Sequence, residues 1–171
     1  VTVTVRPATA ADIPRMHEIE DSAGELFEGW DLIALDTMAL VAVTDHLAAI
    51  EAGLSFIAEV DGRAAGFVMG EMHGPDAYLH ELDVDPAYQR RGAGAALVKA
   101  FVEAAKRQSA GAVYLSTFRE PPWNAPFYAR LGFREAPRGD YLPWMTAIEA
   151  EQAKLLDIST RVFMRIGIGR P

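Results

Sequence analysis

Leu79–Leu97 reads LHELDVDPAYQRRGAGAAL, and the rest of the chain can be placed from it. Leu82 and Val84 close an apolar strand. Asp85-Pro86 stops it, because proline has no N–H to give to a ladder. After a short loop, an apolar helical pattern begins near Ala93. The junction is Gln89-Arg90-Arg91-Gly92-Ala93-Gly94. Its two glycines let backbone approach a ligand closely. The first N–H groups of the helix lack intrahelical partners, and the helix dipole favours negative charge there. Arg90 and Arg91 add positive charge, so the junction reads as a phosphate-binding turn. The strand before it has a flaw. The step from Leu82 to Val84 is even, but the step from Leu79 to Leu82 is odd, so a regular strand cannot bury all three on one face. A bulge near His80–Glu81 reconciles them; burial of the strand on both faces is the other reading.

Gln89-x-x-Gly92-x-Gly94 resembles the acyl-CoA signature of the GNAT N-acetyltransferases. A second segment, Asn124-Ala-Pro-Phe-Tyr128-Ala-Arg-Leu-Gly132-Phe133, resembles the GNAT segment N-x-x-A-x-x-F-Y-x-x-x-G-F in compressed form. Here Asn124 stands four residues before Tyr128, where some members have a longer interval. The resemblance covers roughly residues 1 to 138 and extends by order of elements to the whole chain. It implies one α/β GNAT-like domain over residues 1–171. Its central mixed sheet of about seven strands would be flanked by helices, with two central parallel strands splayed by the bulge. It also implies acetyl-CoA as cosubstrate. The backbone of Leu82, Asp83 and Val84 would bond the pantetheine arm, helped by Asn124. Gln89, Arg90, Arg91, Gly92, Ala93, Gly94 and Ala95 would hold the pyrophosphate. Tyr128 would point at the CoA sulfur and protonate the leaving thiolate; packing with Phe127 and Leu131 is the plainer reading of that ring.

Glu81 is the candidate general base. A carboxylate near the splay point can take a proton from an ammonium directly or through water, and burial would raise its pKa usefully. A solvated strand carboxylate is the alternative, with Asp83 or His80 then serving as base.

The chain has 171 residues, half of them apolar, with a net charge of −8 and no cysteine. That length supports one sizeable core. The acidic balance argues against a nucleic-acid binder, which would show a basic face. Without cysteine there is no disulfide, cysteine nucleophile or thiolate metal site. VTVTVRPAT at the start has no apolar signal region, and the most apolar segment, residues 32–43, is too short to span a bilayer. A cytoplasmic location is expected, with no membrane partner.

In order, Val1, Val3 and Val5 alternate as a strand. Asp12 is placed to cap a helix with Pro14 in its first turn, and Ile13, Met16 and Ile19 or Glu20 give that helix an imperfect apolar face. Residues 24–36 read as a loop. Thr44 is placed to cap a helix over 45–52, stopped by Gly53. Strands follow at 54–60 and 64–72 around the Asp61-Gly62 hairpin turn. After a turn at Gly74-Pro75-Asp76 comes the strand 77–84, then a helix over 93–109 and a parallel strand over 113–118. Asn124 is placed to cap a helix over 125–131. A strand starts at 133, a helix runs over 143–156, and the last strand covers 161–166.

Other motifs fail. The Gly92-x-Gly94 pair is too far beyond its strand for a dinucleotide fold, and no G-K-[ST] or G-x-S-x-G is present. His17, His46, His73 and His80 are scattered, so no metal site is expected. By resemblance, the acceptor pocket would draw its walls from Phe27, Glu28, Trp30, Asp31, Asp140, Tyr141 and Trp144, with Trp123 beside them. Aromatics among acids suit a cationic amine; surface acids and core aromatics are the alternative. The expected activity is direct transfer of an acetyl group to an amine, with a small molecule as acceptor and a homodimer as a common family state. The rival is a GNAT-like module that senses acyl-CoA without turnover.

Overall fold

The computed structural model describes residues 1–32 and 39–169; positions 33–36 of the expected loop lie outside them. Alternation builds the first strand, and continuous apolar runs build the next two. β1 (Val3–Pro7) runs antiparallel to β2 (Ser55–Val60), and β2 to β3 (Arg63–His73). Between β2 and β3, Asp61 and Gly62 both take positive φ, 50° and 78°, the hairpin geometry whose twist matches its strands. Phe56, Ala58 and Val60 of β2 face one core and Ile57 the other. The strand is buried on both sides, which is why its apolar run is continuous.

β4 (Asp76–Val84), β5 (Ala112–Phe118), β6 (Arg134–Glu135) and β7 (Arg161–Gly167) complete a seven-stranded sheet in the order β1-β2-β3-β4-β5-β7-β6. The β4–β5 pair is parallel and every other pair is antiparallel. Helix α3 (Ala93–Arg107) makes the crossover between β4 and β5. Leu97, Phe101, Ala104 and Ala105 bury its apolar stripe against one face of the sheet. On the other face lie α1 (Ile13–Gly24) and α2 (Val43–Glu51), where Met16, Ile19 and Ala49 pack on Ile57, Phe67 and Met69. Helix α4 (Ala125–Arg130) joins the α3 side through Tyr128, and α5 (Pro143–Gln152) covers Tyr78 and Phe163 with Met145. Among the described residues no helix is long and apolar enough to cross a membrane.

The bulge is present. Met69 faces Glu81 and Gly70 faces Leu79, which leaves His80 as the extra residue on β4. Leu79, Leu82 and Val84 therefore all reach the core under α3. Gly70 permits this. A Cβ there would collide with the Tyr78 carbonyl and stand 2.6 Å from the Phe101 ring.

Three helix starts differ from expectation, each because the side chain is used elsewhere or the helix begins earlier. Asp12 binds Arg6 at 2.8 Å and closes the turn at Thr9 instead of capping α1. Helix α2 starts at Val43 behind an extended Ala42, so Thr44 lies inside its first turn. Asn124 precedes α4 but gives it no side-chain cap.

Candidate active site

The parallel ladder of β4 and β5 is short. It pairs Ala77 with Val113, Tyr78 with Tyr114 and Leu79 with Leu115, and ends there. The bulged residue His80 follows directly. From this point the edge of β4 that faced β5 has no strand partner, and buried backbone groups need one. A cleft of about 1670 Å³ opens through the gap. One wall is Leu79 to Val84, the other Leu115 to Phe118 with Asn124 and Tyr128.

At one end the cleft reaches Gln89, Arg90, Gly92, Ala93, Gly94 and Ala95. Arg90 and Gly92 both take left-handed backbone, φ 60° and 87°, and successive N–H groups in such a turn converge into an anion-binding concavity. The Ala96 N–H makes the first backbone bond of α3, to Gly92 at 3.1 Å. The N–H groups before it are those a helix start leaves open. A Cβ on Gly94 would stand 3.3 Å from the Phe127 ring. Arg91 is exposed, lies over the Tyr88 ring at 5.6 Å and does not line the cleft.

At the centre, Thr117 and Ser116 turn to opposite sides of β5, as strand alternation requires. Asn124 Nδ2 donates to Thr117 Oγ1 at 2.9 Å, and Asn124 Oδ1 is buried with no partner. Tyr128, 7% exposed, packs edge-on against Phe127 and Phe133. Burial, then the nearby charges of Glu81 and Asp83, push its phenol well above the usual range, so it keeps its proton at neutral pH.

Glu81 and Asp83 share one face of β4 and lie within hydrogen-bond reach of each other. Burial raises both carboxyls. For Asp83, the charges of Glu81 and Glu20 add to burial in the same direction. Glu81 instead feels His80 and Arg161, which favour its ionised form. The two carboxyls titrate as a pair, and either can carry the proton they share.

Glu20 of α1 completes this acidic group. Its oxygens accept the Val41 N–H at 3.0 and 3.2 Å, and burial with the charge of Glu81 lifts its carboxyl to about 7. The sequence pattern held a sign of it: Glu20 stands where the amphipathic face of α1 should be apolar. The histidines are not all scattered, because one ligand atom each of His17, Glu20 and His46 lies within 4.8 Å of the others. His17 Nε2 bonds the Val41 carbonyl at 2.8 Å. His46 is 0% exposed, has no partner on either nitrogen, and burial holds it down at about 4. Sequence alone could not join residues on two helices.

The far end is walled by Phe27, Glu28, Trp123, Trp144 and Arg161. Trp30 and Tyr141, named from sequence as acceptor walls, do not line it. Trp30 packs on Trp123 at 5.7 Å, and Tyr141 on Phe163 at 5.0 Å within the core under α5. Asp31 and Asp140 do not line it either.

A sequence model described as the acetyltransferase (GNAT) family matches residues 16–133. The chain belongs to the GNAT acetyltransferase family. This GNAT chain is 36% identical over 87 residues to an uncharacterized N-acetyltransferase of Methanocaldococcus jannaschii, covering 47% of itself and 38% of that protein. It is 30% identical over 91 residues to the ribosomal protein bS18-alanine N-acetyltransferase of Escherichia coli, covering 53% of itself and 62% of that protein. Each match thus spans less than two thirds of the relative. In fold, the GNAT chain is similar to the PaiA N-acetyltransferase of Thermoplasma acidophilum, solved in complex with coenzyme A. The TM-score is 0.72 at 14% identity, over 98% of this chain and 100% of the other.

Proposed function

We propose that residues 1–171 act as one acetyl-CoA-dependent N-acetyltransferase unit that transfers directly to the amine of a small molecule. The observation that carries this reading is the opening of the sheet just beyond Leu79 and Leu115, where the cleft runs from a phosphate-type turn to an acid pair. The residues present fit CoA. Asn124 Oδ1 is an orphaned buried acceptor suited to an amide N–H. The open edge of β4 at Leu82 and Val84 offers strand-like bonds to a chain of amides. The turn at Arg90 to Ala95 suits a pyrophosphate.

Acetyl-CoA, when bound, supplies an activated thioester. Glu81 accepts the proton of the acceptor amine, and burial raises its carboxyl, which makes it a stronger base than an exposed one. Backbone donors at the open edge of β4 polarise the acetyl carbonyl. The new C–N bond forms as the C–S bond breaks, and Tyr128 gives its proton to the departing sulfur. The balance is one acetyl group moved from sulfur to nitrogen, one proton from the amine to Glu81 and one from Tyr128 to sulfur; proton exchange with solvent then restores the Glu81 carboxylate and the Tyr128 phenol. Release of CoA thiol from acetyl-CoA with an amine panel, beside calorimetric CoA binding, tests the proposal. Turnover supports it. CoA binding without turnover of any amine or peptide would point to a sensor instead.

A further inference from the structure

Arg161 lines the acceptor end of the cleft and is not used by the chemistry above. It opens β7 directly opposite Phe118 of β5, and its guanidinium lies 4.4 Å over the Phe118 ring. Nη2 donates to Ser116 Oγ at 3.1 Å, and that hydroxyl is held in turn by Gln152 at 3.2 Å. Nε is buried with no partner. Among the described residues Arg161 is in none of the ion pairs. A charge withdrawn from water with no ion-pair partner in contact is costly. A guanidinium stacked on an aromatic ring and pinned at one nitrogen presents a planar fork to whatever enters, and that fork matches a carboxylate. Arg161 and Glu81 are close enough for each charge to act on the other. The pocket is therefore dipolar, with a proton acceptor for an amine at one point and a carboxylate receptor at another.

We propose that Arg161 binds a carboxylate of the acceptor, and that the acceptor is a free amino acid whose amine is thereby turned toward Glu81. The amine-transfer part rests on the N-acetyltransferase reading above. Carboxylate recognition does not.

The test uses the full chain and the twenty standard L-amino acids, each beside its carboxamide, in two assays. One follows thiol release from acetyl-CoA. The other follows calorimetric binding to protein loaded with CoA, which cannot react. At least one amino acid should be acetylated, with kcat/KM roughly 10- to 100-fold above that of its amide. In Arg161→Gln that ratio should fall to near one, and in Arg161→Lys it should fall part of the way, since the charge stays and the fork is lost. Melting and CoA affinity serve as folding controls, and the Lys variant carries the test if the Gln variant does not fold. Amines acetylated without regard to their carboxylate, or a ratio unchanged in both variants, would overturn the role of Arg161 and leave the transferase reading standing. Binding of amino acids that depends on Arg161 without any transfer would do the reverse. Neither binding nor transfer for any of them would overturn the inference.

Discussion

Asn124 donates through Nδ2 to the Thr117 hydroxyl at 2.9 Å, and that bond decides which end of the Asn124 amide faces the cleft. Its Oδ1 is left as an acceptor with no protein partner. Thr117→Val keeps the shape and removes the orienting oxygen. CoA affinity should fall about 3- to 10-fold, the worth of one neutral hydrogen bond, and Asn124→Ala should cost at least as much. Calorimetry with CoA reads both. Unchanged affinity in Asn124→Ala would remove Asn124 from the binding site.

Gly94→Val tests the turn at the start of α3. A Cβ on Gly94 would stand 3.3 Å from the Phe127 ring, so a branched side chain would crowd the wall of the cleft beside the turn. CoA affinity should drop at least about 10-fold while the fold persists. A folded variant that binds CoA normally would move the pyrophosphate elsewhere.

Gly70→Ala tests the bulge that opens the sheet. The added methyl meets the Tyr78 carbonyl and Phe101, so β3 and β4 must separate where β4 turns away from β5. Overpacking of this kind costs about 1–3 kcal/mol. Denaturant unfolding should show at least that loss, and CoA affinity should weaken with it. Full stability in the variant would mean that β4 accommodates a side chain there.

Two groups oppose each other in pH, the half-buried Glu20 and the buried His46. The Glu20 carboxyl stands at about 7 against an ordinary 4.5, because burial and the charge of Glu81 disfavour its ionised form. The folded state holds that proton more tightly, so its contribution to stability is complete below 4.5 and is lost as pH rises through 7. His46 stands at about 4 against 6.5, because burial disfavours its charged form. Its contribution is complete above 6.5 and is lost as pH falls through 4. Glu20→Gln removes one arm. Its melting temperature relative to the wild type should rise from about pH 5 to about pH 8. A difference constant over that range would mean that Glu20 ionises as freely when folded as when unfolded.

Much of this architecture was legible where local chemistry decides it. The odd step from Leu79 to Leu82 marked the bulge, because period-two alternation admits no other way to bury both residues on one face. Asp61-Gly62 marked its hairpin, and the proline after Asp85 marked the end of β4. The helix starts were less legible, because a capping side chain has other partners. Arg6 takes Asp12 from across a turn, and Thr117 takes Asn124 from a neighbouring strand. The lining of the cleft was legible along β4 and α4, where runs of sequence carry it. Glu20 and Arg161 were not. Each enters the cleft from an element far away in sequence: Glu20 showed only as a break in the apolar face of α1, and Arg161 as one charge at the edge of an apolar run. The residues expected from sequence to wall an acceptor pocket divided for the same reason: Phe27 and Trp144 line the cleft, while Tyr141 is drawn under α5 by Phe163.

The central claim is that the chain transfers acetyl groups with Tyr128 as the acid that releases the thiol. Tyr128→Phe keeps the ring against Phe127 and Phe133 and removes only the hydroxyl. The decisive measurement is kcat for acetyl transfer in this variant beside wild type, with CoA affinity and melting measured on the same samples. With Tyr128 as the acid, kcat should fall about 10²- to 10⁴-fold while CoA affinity and melting are retained. Equal kcat in the two proteins would contradict it, returning Tyr128 to the core and the proton to solvent.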